Sequence, residues 1–284
     1  MKTIIIPTDF SPVSVNATNY AIEMAMAIKA SILLFHVYQV PVTFNTSESN
    51  MDIPMPIIDV NEMEQIQVEK MDTLKKDLEH VTSGEIKIDT EIRMGVLSSE
   101  LEDLCNTVQP FAVVMGNKGA GLVERFLVGS SSLSAIKQLN SPVLVVPPGA
   151  IFKGIKKIGF ACDFKDAEET IPVEGIKKWV KTFEAELEIL NVSHSEKQNT
   201  PTSEQKEVLQ SLLKEADPHF FFINNTDVEK GINEFAENNN VDLLIVMPRR
   251  HNLLESLFQK NHATELAFHS HIPILSLHEK EETK

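Results

Sequence analysis

Cysteine is scarce in this sequence of 284 residues, which contains only Cys105 and Cys162. The two lie far apart and form no CxxC pair, so neither a disulfide-stabilised scaffold nor a structural zinc motif is predicted. Both are expected to be buried thiols.

Long apolar runs are also absent, and no stretch approaches the length of a membrane-spanning helix. The amino terminus offers only the isoleucine run 4–6 before Pro7, which is too short for the core of a signal peptide. These features predict a cytoplasmic protein that has no membrane partner.

Positive charge is in short supply, because 26 Lys and Arg residues face 41 Asp and Glu residues, for a net charge of −15. A chain this acidic is not expected to bind nucleic acid or anionic membranes through general electrostatic attraction. Any phosphate ligand must therefore be held by local features.

The familiar catalytic motifs are missing: GxxxxGK[ST], a full GxGxxG after a first strand, HExxH and GxSxG. Ser130 to Ser132 have no assignable histidine and acid partners in their half of the chain, so they are interpreted as helix-capping and phosphate-binding residues. No catalytic residue is predicted, and whether the protein is an enzyme stays open.

What the chain does contain is a regular alternation of short apolar runs and amphipathic segments. Between residues 1 and 150 the order is β α β α β α β α β, with an edge strand near 86–92 and a serine-capped helix starting near Leu97. Such alternation predicts a doubly wound parallel sheet of Rossmann-like type, an α/β fold.

A glycine-punctuated loop follows the fourth of these strands. Gly116 and Gly119 are separated by two residues, and nine residues separate Gly119 from Gly129, which Ser130 follows. Glycines allow main-chain N–H groups to approach a ligand closely, and a helix start adds unpaired N–H donors. The loop is therefore predicted to bind phosphate, or, in the simpler interpretation, only to link a strand to a helix.

This spacing resembles the nucleotide-binding signature of the universal stress protein family. The resemblance implies that the first domain binds ATP together with Mg²⁺. The residues it places around the ribose and phosphates are Gly116, Gly119, Gly129, Ser130 and Ser131. It also implies that Asp9, after the first strand, and the backbone of Val37 face the nucleoside.

Two of these residues have a second interpretation. Lys118 is predicted to contact phosphate, but a lysine in a loop can simply be solvated. Asp9 is predicted to face the ligand beyond the carboxyl end of its strand, although Ser11 and Pro12 next to it also suit the start of a helix.

The pattern of the first half begins again after residue 150, which predicts an internal duplication with domains at 1–150 and 151–284. Asp163 takes the place of Asp9. The glycine motif is not repeated, because its four positions are occupied by Pro248, His251, Asn261 and His262. Side chains there would fill the space that phosphates need, so the second domain is not expected to bind ATP in the same manner.

The sequence therefore predicts a tandem universal stress protein that acts as a nucleotide-responsive stress regulator or interaction module. A slow ATP hydrolase and a scaffold that binds no nucleotide remain as alternatives. The resemblance also implies an intramolecular pseudo-dimer through the fifth strands, a possible homodimer and a protein partner that the sequence does not identify. Five of the seven histidines in the second half could bind a metal, namely His251, His262, His269, His271 and His278. Their spacing is scattered, and no metal site is predicted.

Overall fold

The computed structural model describes residues 2–40, 60–117, 130–162, 164, 167–193, 201–247 and 272–278. The first half contains the predicted alternation of strands and helices. In chain order these are β1 (Thr3–Pro7), α1 (Pro12–Ile28), β2 (Ser31–Tyr38), α2 (Val60–Val81), β3 (Ile88–Met94), α3 (Leu97–Val108), β4 (Ala112–Gly116), α4 (Ser130–Gln138) and β5 (Val143–Val146).

The second half continues with the same kinds of element. They are β6 (Lys157–Ala161), α5 (Ala167–Thr170), α6 (Val173–Phe183), β7 (Glu186–Ser193), α7 (Ser203–Leu212), a 3₁₀ turn (Lys214–Ala216), β8 (His219–Asn224), α8 (Val228–Asn238), β9 (Leu243–Val246) and β10 (Ile274–Ser276).

All ten described strands belong to one sheet, in the order β3-β2-β1-β4-β5-β10-β9-β6-β7-β8. Strand pairs within each half are parallel, and the two halves have the same strand order. The halves meet where β5 and β10 pair in antiparallel fashion, with Leu144 opposite Leu275. The predicted α/β fold with a doubly wound, mostly parallel sheet is confirmed.

Helices cover both faces of the sheet, which explains why the central strands are apolar on both sides. In the first half, α1 and α2 pack on one face, whereas α3 and α4 pack on the other. Ile4, Ile5 and Ile6 of β1 are each fully buried, because consecutive side chains point to opposite faces and both faces are covered.

Strand β3 is the edge strand that the alternation of apolar and charged residues predicts. Its exposed side carries ion pairs, including Lys87 with Asp89 at 2.6 Å and Arg93 with Glu91 at 2.7 Å. Charges of this kind protect an edge against pairing with another chain. The predicted serine cap on the next helix is wrong, since the residue before α3 is Val96 and no side chain caps the helix.

The same local geometry occurs after β1 and after β6. Phe10 and Phe164 both have left-handed backbones, with φ of 61° and 62°. The Thr8 carbonyl oxygen lies 2.7 Å from His36 Nδ1, and the Cys162 carbonyl accepts a hydrogen bond of 2.9 Å from the Asn191 amide. These shared details fit a duplicated sequence, although the domain boundary near residue 150 stays a prediction.

Aromatic side chains join the two halves beside the β5–β10 pair. Trp179 of α6 is fully buried and stacks on Phe111, which precedes β4, with ring centroids 4.7 Å apart. Phe183 also stacks on Trp179, with ring centroids 5.5 Å apart. Both cysteines are buried thiols, as expected from the sequence.

His278 makes a second contact between the halves, because its imidazole is hydrogen-bonded to the main chain of Ile136 in α4. Burial lowers the pKa of His278 from its ordinary value of about 6.5, and this hydrogen bond opposes the shift only in part. The folded protein therefore disfavours the protonated imidazole more than the unfolded chain does.

This shift predicts a pH-dependent loss of stability. His278 favours the folded state fully above pH of about 6.5, and that contribution is lost as the pH falls from there towards the lowered pKa. We expect the free energy of unfolding to fall less between pH 7.5 and 5.5 in His278→Gln than in the unmodified protein, as measured by urea titration at each pH. Equal losses in both proteins would contradict this assignment.

Candidate functional site

The candidate site lies at the carboxyl edge of the first half of the sheet, where β1, β2 and β4 end and where α1 and α4 begin. In parallel sheets ligands gather at this edge, because adjacent loops diverge there and helix amino termini point towards it. Of the predicted site residues, the structure describes Asp9, Val37, Gly116 and Ser131 fully and Ser130 as the first residue of α4. Lys118, Gly119 and Gly129 lie outside the described residues.

Asp9 is exposed two residues after the end of β1. One of its carboxylate oxygens accepts a hydrogen bond of 3.0 Å from the main-chain N–H of Ser11, which in turn caps α1 by accepting from Ser14 N–H. Asp9 therefore takes part in the hydrogen bonds at the start of α1, as the capping interpretation predicts. Partial burial alone would raise the pKa of Asp9, but hydrogen bonds from Ser11 and Ser14 outweigh it and hold the pKa below its usual value. The carboxylate is therefore ionised at neutral pH and has a second oxygen to offer.

The main-chain groups of Val37 lie at a gap in the sheet. The carbonyl of Phe35 faces β1 and accepts a hydrogen bond of 2.8 Å from Thr8 N–H. Alternate residues of a parallel strand face the same neighbour, so Val37 also faces the β1 side, beyond the last β1 residue that pairs with β2. Within the described residues, no main-chain hydrogen bond links Val37 to Thr8 or Phe10, the residues that would pair with it next.

The donors and acceptors that would close this gap are used elsewhere. Thr8 C=O, which would next pair with Val37 N–H, is instead 2.7 Å from His36 Nδ1. The N–H of Phe10, with its left-handed backbone, donates to the Thr8 hydroxyl at 3.1 Å. The chain therefore turns away after β1 and leaves one donor and one acceptor of Val37 side by side at the sheet edge.

Gly116, the last residue of β4, has a structural reason to be glycine. A Cβ atom at this position would lie 2.5 Å from the main-chain oxygen of Val13 and 2.6 Å from Val13 Cγ1. The first turn of α1 thus packs directly against the end of β4. This close approach brings the start of α1 to the same place as the glycine loop.

Helix α4 begins beside the end of β4, although thirteen residues of chain separate the two. The Ser132 hydroxyl, which is 2% exposed, donates a hydrogen bond of 3.0 Å to the Gly116 carbonyl. Ser131 is exposed. The first turn of α4 is therefore fixed at the carboxyl edge, where its unpaired N–H groups and the helix dipole favour an anion.

Sequence reasoning did not single out two buried residues at this position. The sequence places Ser132 in a run of serines interpreted as helix-capping and phosphate-binding residues, yet its hydroxyl joins α4 to β4. Asn117 is 2% exposed, and its side-chain carbonyl oxygen meets no hydrogen-bond donor within the described part of the chain. A polar residue directly after an apolar strand and before a glycine loop was the available signal for Asn117.

The corresponding edge of the second half is described only in part. Cys162 and Asn191 occupy the places of Thr8 and His36 and make a similar contact. Asp163, Pro248, His251, Asn261 and His262, on which the predicted loss of ATP binding depends, lie outside the described residues. Within the described ranges no group of three His, Cys, Asp or Glu side chains is arranged to hold a metal ion, and none of the helices there is long and apolar enough to cross a membrane.

Comparisons with known proteins agree on one family. The model of the universal stress protein family matches residues 1–147. Universal stress protein MJ0531 of Methanocaldococcus jannaschii is 32% identical over 146 residues, which are 51% of this chain and 81% of that protein. The crystal structure of a universal stress protein from Archaeoglobus fulgidus aligns with a TM-score of 0.68 at 16% identity, covering 98% of this chain and 96% of the other. A Pseudomonas aeruginosa UCBPP-PA14 protein aligns with a TM-score of 0.59 at 12% identity, covering 98% and 93%. The likeness in structure extends over both halves, and the likeness in sequence over the first half shows that this chain belongs to the universal stress protein family.

Proposed function

We propose that the carboxyl edge of the first half binds ATP, accompanied by Mg²⁺, and that occupancy of this site regulates a contact with a protein partner. The observation that carries the proposal is the unpaired main chain of Val37 beside the ionised Asp9 and the amino terminus of α4. These groups converge on one edge although they come from three separate parts of the chain.

Each group suits a different part of the nucleotide. The N–H and C=O of Val37 form an adjacent donor and acceptor, which matches the donor and acceptor on the edge of an adenine ring. The free oxygen of Asp9 can accept a hydrogen bond from a ribose hydroxyl, which is stronger for a charged acceptor than for a neutral one.

The phosphates are assigned to the α4 side of the site. Main-chain N–H groups at Ser130 and Ser131 would bind phosphate oxygens with the favourable end of the helix dipole. Gly116, Gly119 and Gly129 would let the loop approach closely, and Lys118 would add a positive charge in an otherwise acidic protein. Mg²⁺ bound together with the phosphates would supply positive charge and so reduce their repulsion with Asp9.

The second half, proposed as a separate domain from residue 151, is assigned no nucleotide. Its sequence places proline, histidine and asparagine where the first half has glycines. We further propose that β5 and β10 pair as the matching strands of a pseudo-dimer, so that the second half supports the first. No residue is assigned a catalytic role.

Asp9→Asn is the sharpest test, because asparagine keeps the oxygen that accepts from Ser11 N–H but loses the negative charge. We expect one ATP per chain in isothermal titration calorimetry, and a Kd about tenfold or more weaker in Asp9→Asn. The matched control is Asp163→Asn in the second half, which should leave the Kd unchanged.

The outcomes separate clearly. Two ATP molecules per chain, or an equal effect of the two substitutions, would contradict the assignment of the site to the first half. No heat of binding with either ATP or its Mg²⁺ complex would overturn the proposed function itself. Thermal denaturation of each variant without ligand is the check that the fold is retained.

A further inference from the structure

We propose that a lysine-lined groove at the opposite, amino edge of the first half binds a small, multiply charged oxyanion that carries carboxylate or phosphate groups. The groove encloses about 520 Å³ and is lined by Lys2, Lys29, Gln109, Phe111 and Lys178, among others. Lys2 precedes β1 and Phe111 precedes β4, whereas Asp9 and Gly116 lie at the other ends of these strands. The groove and the proposed nucleotide site are therefore separated by the length of these strands, and this inference does not depend on nucleotide binding.

The three lysines form a concentration of positive charge in a protein with a net charge of −15. Other lysines of the chain find carboxylates, as Lys177 does with Glu215 at 3.4 Å. Within the described ranges, however, the ammonium groups of Lys2, Lys29 and Lys178 have no ion pair or hydrogen bond. With acidic residues in such excess, three unpaired cations around one groove leave a place for an external anion.

Phe111 brings two of these charges together. The ammonium of Lys178 lies 5.1 Å from the centroid of the Phe111 ring, and that of Lys2 lies 5.8 Å from it. Both can gain from the ring by cation–π attraction. Phe111 is itself held by stacking on Trp179, so the aromatic platform between the cations is rigid.

Two helices end beside the groove. The N–H of Lys29, at the end of α1, bonds to the carbonyls of Ala25 and Met26. The N–H of Gln109, at the end of α3, donates to the Cys105 carbonyl at 2.8 Å. These main-chain bonds satisfy some of the last carbonyls of each helix, and within the described ranges no hydrogen bond joins the three ammonium groups to the others.

Lys178 belongs to α6 in the second half, whereas the other lining residues named above belong to the first. An anion in the groove would therefore contact both halves. Its binding should stabilise their association, because a ligand that prefers the folded protein shifts unfolding by mass action.

Calorimetry with citrate and with inorganic pyrophosphate as separate probes, each without ATP, tests the proposal and distinguishes carboxylate from phosphate ligands. We expect saturable binding of at least one probe, weakened about tenfold by Lys178→Gln and by Lys2→Gln. Lys177→Gln is the matched control, since it removes a neighbouring charge of the same helix that is already paired. It should bind the probe as the unmodified protein does.

Two results would overturn the inference. One is the absence of saturable binding of either probe to the unmodified protein. The other is equal weakening by Lys177→Gln and Lys178→Gln, which would show a general effect of net charge. The melting temperature of each variant without anion should change little, because within the described ranges neither groove lysine forms an ion pair and each loses only a cation–π contact with Phe111.

Discussion

Trp179→Ala is expected to lower the free energy of unfolding by about 3–5 kcal/mol, the cost of replacing a fully buried large aromatic side chain. Trp179 is 0% exposed and stacks on both Phe111 and Phe183, at centroid distances of 4.7 and 5.5 Å. The substitution leaves a cavity between α6 and the first half, so both halves lose packing. Urea unfolding followed by far-ultraviolet circular dichroism measures the effect.

Trp179→Phe is the control that separates packing from polarity. The indole N–H of Trp179 is buried and meets no acceptor in the part of the chain that is described. Phenylalanine keeps the stacked ring and removes an unsatisfied donor, which offsets the lost volume. We expect a change within about 1.5 kcal/mol. A loss as large as that of Trp179→Ala would show that the indole N–H has a partner and that stacking is not the main contribution.

Gly116→Ala is expected to lower the free energy of unfolding by about 1–3 kcal/mol through overpacking. The added methyl would lie 2.5 Å from Val13 O, so α1 and β4 must move apart. Because this contact also aligns the start of α1 with the start of α4, ATP affinity should fall as well. Thermal denaturation and calorimetry on the same protein measure the two effects.

The double variant Gly116→Ala with Val13→Ala shows whether the clash is with backbone or side chain. Removing Val13 Cγ1 relieves the contact of 2.6 Å but leaves the shorter contact with the main-chain oxygen. Stability should therefore remain low in the double variant. Full recovery would contradict the geometry described for this contact.

The elements of the first half were predictable because their signals are local. Apolar runs bounded by proline, glycine and charge predicted β1 to β5, and the alternation in residues 86–92 predicted the exposed edge strand β3. The second half repeated the pattern, so β6, β7, β9 and β10 followed by comparison, whereas β8 was not predicted. The start of α3 at Leu97 was predicted too, but its serine cap is absent, because serines near a helix start need not be in the capping position.

The structure brings Asp9, Val37, Gly116 and Ser131 to one edge of the sheet, whereas their part in ligand binding stays a prediction and their local contacts were not predictable. Gly116 was assigned to a ligand, but its contact with Val13 joins residues that are distant in sequence and appears only when α1 packs on β4. The free main chain of Val37 depends on where β1 ends relative to β2, which is a matter of register. The groove around Phe111 requires α6 to cross from the other half, and no local pattern encodes that.

The antiparallel pairing of β5 with β10 reverses the direction of the second half relative to the first. The carboxyl ends of the strands in one half therefore lie on the same side of the shared sheet as the amino ends of the strands in the other half. A partner that approaches from one side meets the proposed nucleotide edge of the first half together with the amino ends of the second half's strands. A partner from the opposite side meets the lysine groove together with the carboxyl ends of the second half's strands, so the molecule presents two chemically different ends.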